Sequence, residues 1–363
     1  MVLFLHNRYR ASGGEERAVE DLAWLVREHL GEEVEVLARD SASLGRARAA
    51  GGMLRGGLRP EEVAQAVRRT GARVVHAHNL QPAFGWRALA AARDAGARVV
   101  AHLHQYRLVC AVGICFTAGE QCTRCHGRNT LPGVLHRCRG STSEALVYAA
   151  ALARWQRRLT GLIDAAIVPS EFARGRLHAL GAPLPTTHVL AHPVRAFAER
   201  STAQAGRYAL LAGRLGPEKG LDVAIDACRI AQIPLVVAGE GPERARFEGA
   251  PGVTFAGLLA EPALAELRAG ARLALMPSRT AETFGLAAAH AMAAGLPVAA
   301  SDIGALPELL PAGWLAPAGD ARALAATIAA LAADAGAGEF ALARARDLLD
   351  PRRLARTLAG IYS

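Results

Sequence analysis

The sequence predicts an α/β chain built as two doubly wound domains. Three observations carry that class. Short apolar, β-rich runs alternate with longer amphipathic segments along almost the whole chain. That rhythm occurs twice. The 363 residues also exceed the roughly 250–300 at which a single core stops growing. Strands alternating with helices make βαβ units and parallel sheets. Two such series make two Rossmann-like domains, whose ligands belong at the carboxyl ends of the strands.

The first series places strands at Val2–His6, Val34–Leu37, Val74–His78, Arg98–Leu103, Ala165–Pro169 and His188–Leu190. Each is a short apolar run between turn residues, the pattern of a strand buried on both faces. Helices are expected between them at Glu15–Glu28, Pro60–Arg69 and Trp86–Ala95. The second series repeats the scheme. Its strands are Tyr208–Ala212, Leu235–Ala238, Val253–Phe255, Leu273–Met276 and Val298–Ala300. Its helices are Glu218–Ile230, Pro262–Ala269, Phe284–Ala294 and Ala321–Ala332. The junction falls at 192–206, where His192-Pro193-Val194 ends one series and Glu199–Gly206 is polar and patternless. The expected division is an N-terminal domain over 1–195, with an irregular insertion at 105–142, and a second domain over 205–345. A last helix, within 346–363, opens with Pro351 in its first turn and should pack back toward the N-terminal domain. The two domains should face each other across a cleft.

Composition narrows the function. With 52% hydrophobic and 21% charged residues the chain is globular, not disordered. A net charge of +9 admits an anionic partner. No aromatic-and-basic motif of a nucleic-acid module is present, so nucleic acid is not the expected one. Residues 101–160 concentrate the excess. Arg107, Arg124, Arg128, Arg137, Arg139, Arg154, Arg157 and Arg158 stand against Glu120 and Glu144, so eight minus two leaves +6. This reads either as a solvated basic surface or as a face for an anionic membrane or phosphorylated acceptor. Val2–Leu5 is too short for a signal-peptide core and His6 follows at once. The expected location is cytoplasmic, at most peripheral to the inner membrane. Thr283–Ser301 has no Asp, Glu, Lys or Arg, but the Gly295-Leu296-Pro297 break makes it helix, turn and strand, not a membrane span.

Three loops can hold an anion. The first is Ala11-Ser12-Gly13-Gly14-Glu15, where adjacent glycines permit close backbone approach and the next helix offers its free N–H groups. Gly-Gly also marks plain turns. The second is Gly213–Gly220, between a strand and a helix. It contains Lys219, the single lysine, while the other 41 of the 42 Lys and Arg residues are arginine. A compact ammonium kept amid such a bias suits phosphate oxygens in a tight loop. Arg214 and Lys219 could clamp a diphosphate from two sides, although Glu218 is also what an exposed helix start favours. The third is Pro277–Leu286. Here the amides of Phe284, Gly285 and Leu286 would meet an anion, and Glu282 reads either as an N-terminal charge favoured by the helix dipole or as an acceptor for sugar hydroxyls beside the anion.

Gly213-Arg214-Leu215-Gly216-Pro217-Glu218-Lys219-Gly220, Gly239-Glu240-Gly241-Pro242, Pro277-Ser278 through Glu282-Thr283-Phe284-Gly285-Leu286, and Ala291–Val298 with Pro307-Glu308 behind it make the second half resemble the donor domain of retaining GT-B glycosyltransferases of family 4. The first half is similar through Gly13-Gly14-Glu15, Val75–Asn79 and Leu103-His104-Gln105-Tyr106. The resemblance implies a GT-B fold. It implies transfer of a sugar from a UDP-, GDP- or dTDP-linked donor to an acceptor hydroxyl, with retained configuration and no metal or other cofactor for the chemistry. By that resemblance, Arg214 and Lys219 bind the diphosphate, aided by Gly13 and Gly14. Glu282 holds the sugar, Thr283, Phe284, Gly285 and Leu286 meet the distal phosphate, and His104 assists near the sugar. His104 and Glu282 are therefore the expected catalytic residues. The family puts a second Glu eight residues after the first to grip the ribose; here that position is His290. A neutral imidazole offers one donor and one acceptor where a carboxylate only accepts, so an altered or relaxed nucleotide preference is expected. The acceptor is an open hydroxyl compound, anionic or lipid-linked on the basic-face reading. A same-fold epimerase or hydrolase, and a non-catalytic sugar-nucleotide-binding subunit, are the competing functions.

Cysteines add a further expectation. Cys110, Cys122, Cys125 and Cys138 run Cys-x11-Cys-x2-Cys-x12-Cys through the insertion. Four thiolates so spaced can build a structural zinc site, and a loop this long needs something to order it. Cys115 sits between them, and His126 and His136 are reserve ligands. Free thiols and disulfides are the alternatives. Cys228 reads as an ordinary core cysteine.

Overall fold

A computed structural model describes residues 1–9 and 13–363. Its strands are β1 (Val2–Arg8), β2 (Val34–Asp40), β3 (Val74–Ala77), β4 (Arg98–His102), β5 (Phe116–Thr117), β6 (Glu120–Gln121), β7 (Ala165–Val168), β8 (Thr187–Val189), β9 (Tyr208–Ala212), β10 (Leu235–Ala238), β11 (Val253–Gly257), β12 (Ala271–Met276), β13 (Val298–Ser301) and β14 (Leu315–Ala316). Two six-stranded sheets run β2-β1-β3-β4-β7-β8 and β11-β10-β9-β12-β13-β14. The neighbouring strands of each sheet are parallel. The expected α/β class with two parallel sheets is what the chain adopts.

Two compact units contain these sheets. One comprises Met1–Thr117, Cys122–Pro193 and Pro351–Ser363; the other comprises Ala118–Gln121 and Val194–Asp350. The winding of each sheet reverses once. In the first unit the reversal lies between β1 and β3, and in the second between β9 and β12. Loops leaving those strands at their carboxyl ends diverge to opposite faces and leave a crevice, the usual ligand position in such sheets.

Alternation along the strands divides the first unit's core between two faces. Leu3 and Leu5 of β1 join Val75, Ala77, Val99 and Ala101 on one face. Val2 and Phe4 join Val74 and Val100 on the other. That second face is covered by the helix Gly14–Leu30 and by the last helix, Pro351–Tyr362. The last helix buries Leu354, Ala355, Leu358, Ile361 and Tyr362.

Element ends differ from expectation where backbone conformation intervenes. The helix expected over Glu218–Ile230 is a 3-10 turn, Pro217–Lys219, followed by a helix at Leu221–Ala231. Gly220 separates them at φ +67°, and a Cβ there would lie 2.1 Å from the Pro277 carbonyl oxygen. The helix expected to begin near Phe284 begins at Leu286, because Gly285 stands at φ +105°. Thr283–Ser301 resolves into that helix, a turn and β13. Among the described residues no single helix is long and apolar enough to cross a membrane. The strand β14 and the helices Arg46–Arg55, Thr142–Thr160 and Ala337–Leu348 have no counterpart in the expected element set.

Leu358, fully buried against the first sheet, should anchor the terminal helix. Leu358→Ala is expected to lower unfolding free energy by about 2–5 kcal/mol, the range for a buried leucine that leaves a cavity. Urea denaturation followed by circular dichroism checks this; an unchanged midpoint would mean the helix does not stabilise the unit.

Candidate functional site

Each unit gathers polar side chains at its winding reversal. In the second unit two loops meet there. One leaves β9 and runs Gly213–Gly220; the other leaves β12 and runs from Pro277 to the helix Leu286–Ala293. The missing side chain at Gly220 lets them touch, and the Arg279 amide donates to the Glu218 carbonyl at 2.8 Å. A third loop, after β10, locks the first: the Leu215 amide donates to the Glu240 carbonyl at 2.9 Å, and the Glu243 amide to that of Leu215 at 3.1 Å.

This frame brings Lys219 and Glu282 together across 63 residues of sequence. Lys219 Nζ donates to Glu282 Oε1 at 2.6 Å, and Ser278 Oγ donates to the same oxygen at 2.6 Å. The Ala305 amide holds the Glu282 carbonyl at 2.9 Å. Arg214 pairs with Glu218, whose carboxylate is buried beneath it. Arg279 pairs with Asp222 at 2.6 Å. Arg214 and Lys219 keep side-chain exposures of 47% and 28%, enough to reach an incoming anion. Thr283 is half-buried, Phe284 is buried, and Gly285 and Leu286 open the helix, whose first-turn amides point out of its N-terminus. His290 lies half-buried on that helix.

In the first unit the Gly13-Gly14 turn makes a different contact from the anion cradle expected of it. Gly13 is the helix N-cap, and its amide donates to Glu16 Oε2 at 2.9 Å, so the chain's own carboxylate fills the cap. Ala11 and Ser12 of that loop lie outside the described residues. Glu15 turns inward. Its Oε2 accepts from Tyr9 Oη at 2.7 Å and from Gln105 Nε2 at 3.2 Å. Arg107 lies 4.7 Å over the Tyr9 ring and donates from Nε to Gln105 Oε1 at 3.0 Å. Burial raises the Glu15 carboxyl above its ordinary range and, with Glu15 beside it, raises the Tyr9 phenol too. Sequence inspection does not single out this network, because Glu15 and Gln105 stand 90 residues apart and meet only through the sheet order.

Beside it runs a ladder of histidines. His76, His78, His102 and His104 continue the face that begins with Val2, Phe4, Val74 and Val100, and His192 extends it. His102 stacks on His104 at 4.4 Å with 9° between rings, and His76 on His78 at 4.4 Å and 25°. His76 Nδ1 meets Tyr362 Oη at 2.7 Å, and His78 Nδ1 meets His104 Nε2 at 3.0 Å. Burial lowers His76 to about 3. Burial first, and neighbouring imidazoles second, hold His78, His102 and His104 well below the usual histidine range. His104 is thus a neutral imidazole, able to give or take one hydrogen bond.

The insertion packs its cysteines around one cavity. Cys110, Cys115, Cys122, Cys125, Cys138 and His136 line it. His126 points elsewhere, with its ring against Gly181. A hydrogen bond from the Cys115 thiol pushes the Cys110 thiol down to about 6. Among the described residues the donor triplets that close to within 4.8 Å are His76–His78–His102 and His102–His104–His192, and no cysteine is in either. Cys228 is buried on the helix Leu221–Ala231, as an ordinary core residue.

Comparison with known proteins gives a family match within the second unit. Residues 206–334 match the family Glycosyl transferases group 1. The amylovoran biosynthesis glycosyltransferase AmsK of Erwinia amylovora is 36% identical over 139 residues, covering 33% of this chain and 34% of that protein. A GDP-mannose-dependent alpha-(1-6)-phosphatidylinositol dimannoside mannosyltransferase of Mycobacterium tuberculosis is 43% identical over 110 residues, 28% of each chain. The chain thus matches about a third or less of those relatives' lengths. Over the whole chain the fold is that of sucrose-phosphate synthase from Thermosynechococcus elongatus (TM-score 0.70, 20% identity, 100% and 98% covered). It is equally that of HepE from Anabaena, solved with UDP (TM-score 0.64, 19% identity, 99% and 98% covered). The fold is GT-B.

The histidine ladder sets a pH dependence. Its folded pKa values lie below the unfolded value of 6.5, so the unfolded chain binds more protons in acid. The stability the neutral ladder contributes is complete above about pH 6.5 and is lost as pH falls toward about 3 for His76. Each such histidine should cost about 1.4 kcal/mol per pH unit within that window. Urea unfolding between about pH 7.5 and 5 should show the decline, and His102→Leu should flatten it. A slope unaltered by that substitution would refute the account.

Proposed function

We propose, from the premise that residues 206–334 are a glycosyl transferases group 1 domain, that this protein transfers a sugar from a nucleotide diphosphate donor to an acceptor hydroxyl with retained anomeric configuration. The observation that carries the reading is the Lys219–Glu282 pair at the reversal between β9 and β12, with Arg214 beside it. An ammonium and a carboxylate held at 2.6 Å form a site with both charges ready. A donor's diphosphate would draw Lys219 to itself, and Glu282 would turn its oxygens to the sugar hydroxyls.

Charge explains the rate enhancement. As the glycosidic bond breaks, negative charge grows on the leaving diphosphate, while Arg214, Lys219 and the amides around Phe284–Leu286 stand in place beforehand. The sugar gains oxocarbenium character on the opposite side. A leaving phosphate oxygen on the retained face takes the acceptor's proton, so no protein nucleophile and no metal enters the chemistry. His104, neutral and buried, contributes one hydrogen bond to the sugar and does not act as a strong base. His290 on the helix Leu286–Ala293 replaces the family's ribose-gripping carboxylate and relaxes the nucleotide preference among UDP, GDP and dTDP donors. HepE, solved with UDP and with UDP-glucose, and the GDP-mannose-dependent relatives lend support to a nucleotide sugar donor in general. The acceptor belongs to a polysaccharide, lipid-linked or natural-product pathway, reached in the cytoplasm. The arginines of 101–160 serve an anionic acceptor or an anionic lipid surface.

Purified protein incubated with a panel of nucleotide diphosphate sugars, with and without hydroxyl acceptors, tests the reading. Acceptor-dependent transfer is expected. Donor loss without acceptor would favour the hydrolase or epimerase alternative, and binding without turnover a non-catalytic subunit. Lys219→Ala and Arg214→Ala should each lower kcat/KM by about 10²–10³, the loss for one transition-state charge donor. In His290→Glu, calorimetry should show tighter nucleotide binding and a narrowed choice of base; unaltered affinity would remove His290 from the account.

A further inference from the structure

We propose that the insertion is a structural zinc site, with Cys110, Cys122, Cys125 and Cys138 as ligands and Cys115 as a hydrogen-bond donor beside Cys110. Nothing in the transferase reading uses these side chains, and the inference stands or falls independently of it.

Regular structure supplies little of the order in this segment. Between His104 and Ser141 the segment has only two strands of two residues and one helix of five. Yet Val109, Cys110, Ala111, Cys115, Phe116 and Cys125 are buried. All the cysteines of the segment turn to one cavity, together with His136. Chance placement of five thiols in a polar, glycine-bearing stretch would scatter them. The surroundings also suit sulfur carrying negative charge. The Gly113 amide donates to Cys110 Sγ at 3.4 Å, and Arg124 Nη1 approaches Cys122 Sγ at 3.6 Å. Donors aimed at the ligand sulfurs are what a thiolate metal site needs around it.

Two sets of donors compete for a metal, and the histidine ladder is the poorer one. Its triplets close to within 4.8 Å, but the rings lie nearly parallel, 9° to 26° apart in the stacked pairs of His76, His78, His102 and His104. In-plane lone pairs of parallel rings point side by side and do not converge on one ion. The cluster also holds no carboxylate to offset a divalent charge in a dry core. Four thiolates, in contrast, bring their own negative charge and the tetrahedral soft set zinc prefers. Each thiol that binds gives its proton to solvent. Zinc–sulfur bonds of about 2.3 Å place tetrahedral sulfurs about 3.8 Å apart. Among the described residues no three cysteine sulfurs lie within 4.8 Å of one another, so binding would draw the segment together.

That contraction reaches the first unit's polar network. Tyr148 Oη donates to the Arg107 carbonyl and, at 3.4 Å, to that of Cys110. Gln156 Nε2 donates to the Leu108 carbonyl at 2.6 Å. The metal would therefore act on a run, Gln105 to Cys110, that the helix Thr142–Thr160 already holds through Tyr148 and Gln156.

The test is metal content on the full chain. Protein purified without chelator should carry one equivalent of zinc by elemental analysis. A mercurial that blocks thiols should release it to a chromogenic chelator. Cobalt exchange should give an intense thiolate-to-metal charge-transfer band. Zinc should be lost in Cys122→Ser and Cys125→Ser and kept in Cys115→Ser. In hydrogen exchange, amides of 105–141 should lose protection when the metal is stripped from the wild-type protein, a readout that does not depend on the variants folding. Metal-free protein whose thiols all titrate or pair as disulfides would overturn the proposal. So would zinc that survives the mercurial and disappears in His102→Ala, which would move it to the ladder.

Discussion

Lys219 and Glu282 hold each other at the one place where the second sheet changes its direction of winding, and the rest of the site depends on that constraint. In a sheet ordered β11-β10-β9-β12-β13-β14, only the loops after β9 and β12 can diverge and still approach across a gap. A lysine on one and a glutamate on the other neutralise each other at 2.6 Å. Neither is buried enough for the pair to be a core ion pair, with side-chain exposures of 28% and 13%. Such a pair contributes little to folding by itself. Under the proposed function its position makes sense as an exchangeable contact, in which a donor's phosphate would replace the carboxylate as the lysine's partner. Arg214 follows the same logic, since its partner Glu218 is the buried member and the guanidinium remains the accessible one.

The first unit solves a different problem at its own reversal. There the polar groups are buried, and they are kept neutral or satisfied internally. Glu16 caps the helix that a ligand anion could otherwise occupy. Glu15 is shielded by Tyr9 and Gln105. The imidazoles stack in a ladder whose members cannot all ionise, because each charge would raise the cost of the next in a medium that solvates none of them. The outcome is a rigid, uncharged wall. Hydrogen-bonding direction, not charge, is what such a wall presents.

How much of this could be read from the sequence follows from the range of each signal. Strand alternation and apolar runs are local, so the two parallel sheets were legible. The pattern Val-Val-His-Ala-His even displays the period of two that sends Val74, His76 and His78 to one face. Loops joined to strand ends were legible as well, which is how Arg214, Lys219 and Glu282 come under notice from spacing and residue type. Glycine conformation was not. Gly220 and Gly285 interrupt stretches whose side-chain pattern is helical, and only the close approach of Pro277 explains why the first must be bare. The Tyr9–Glu15–Gln105–Arg107 network was hidden for another reason. Its members are ordinary residues until the strand order brings the turn after β1 beside the turn after β4.

The insertion bears directly on the first unit's polar network. It leaves β4 two residues before Gln105, so whatever orders it also sets the geometry of the first unit's polar network. Helices and sheets in this chain hold their shape through apolar burial, with Leu, Val and Ala filling both faces of the first sheet. Residues 105–141 add Tyr106, Leu108, Val109, Cys110 and Cys115 to that apolar core but few leucines or valines beyond them. What they concentrate instead is sulfur, arginine and glycine. Under the zinc proposal, coordination would add to that apolar anchoring the order that so few regular elements leave wanting.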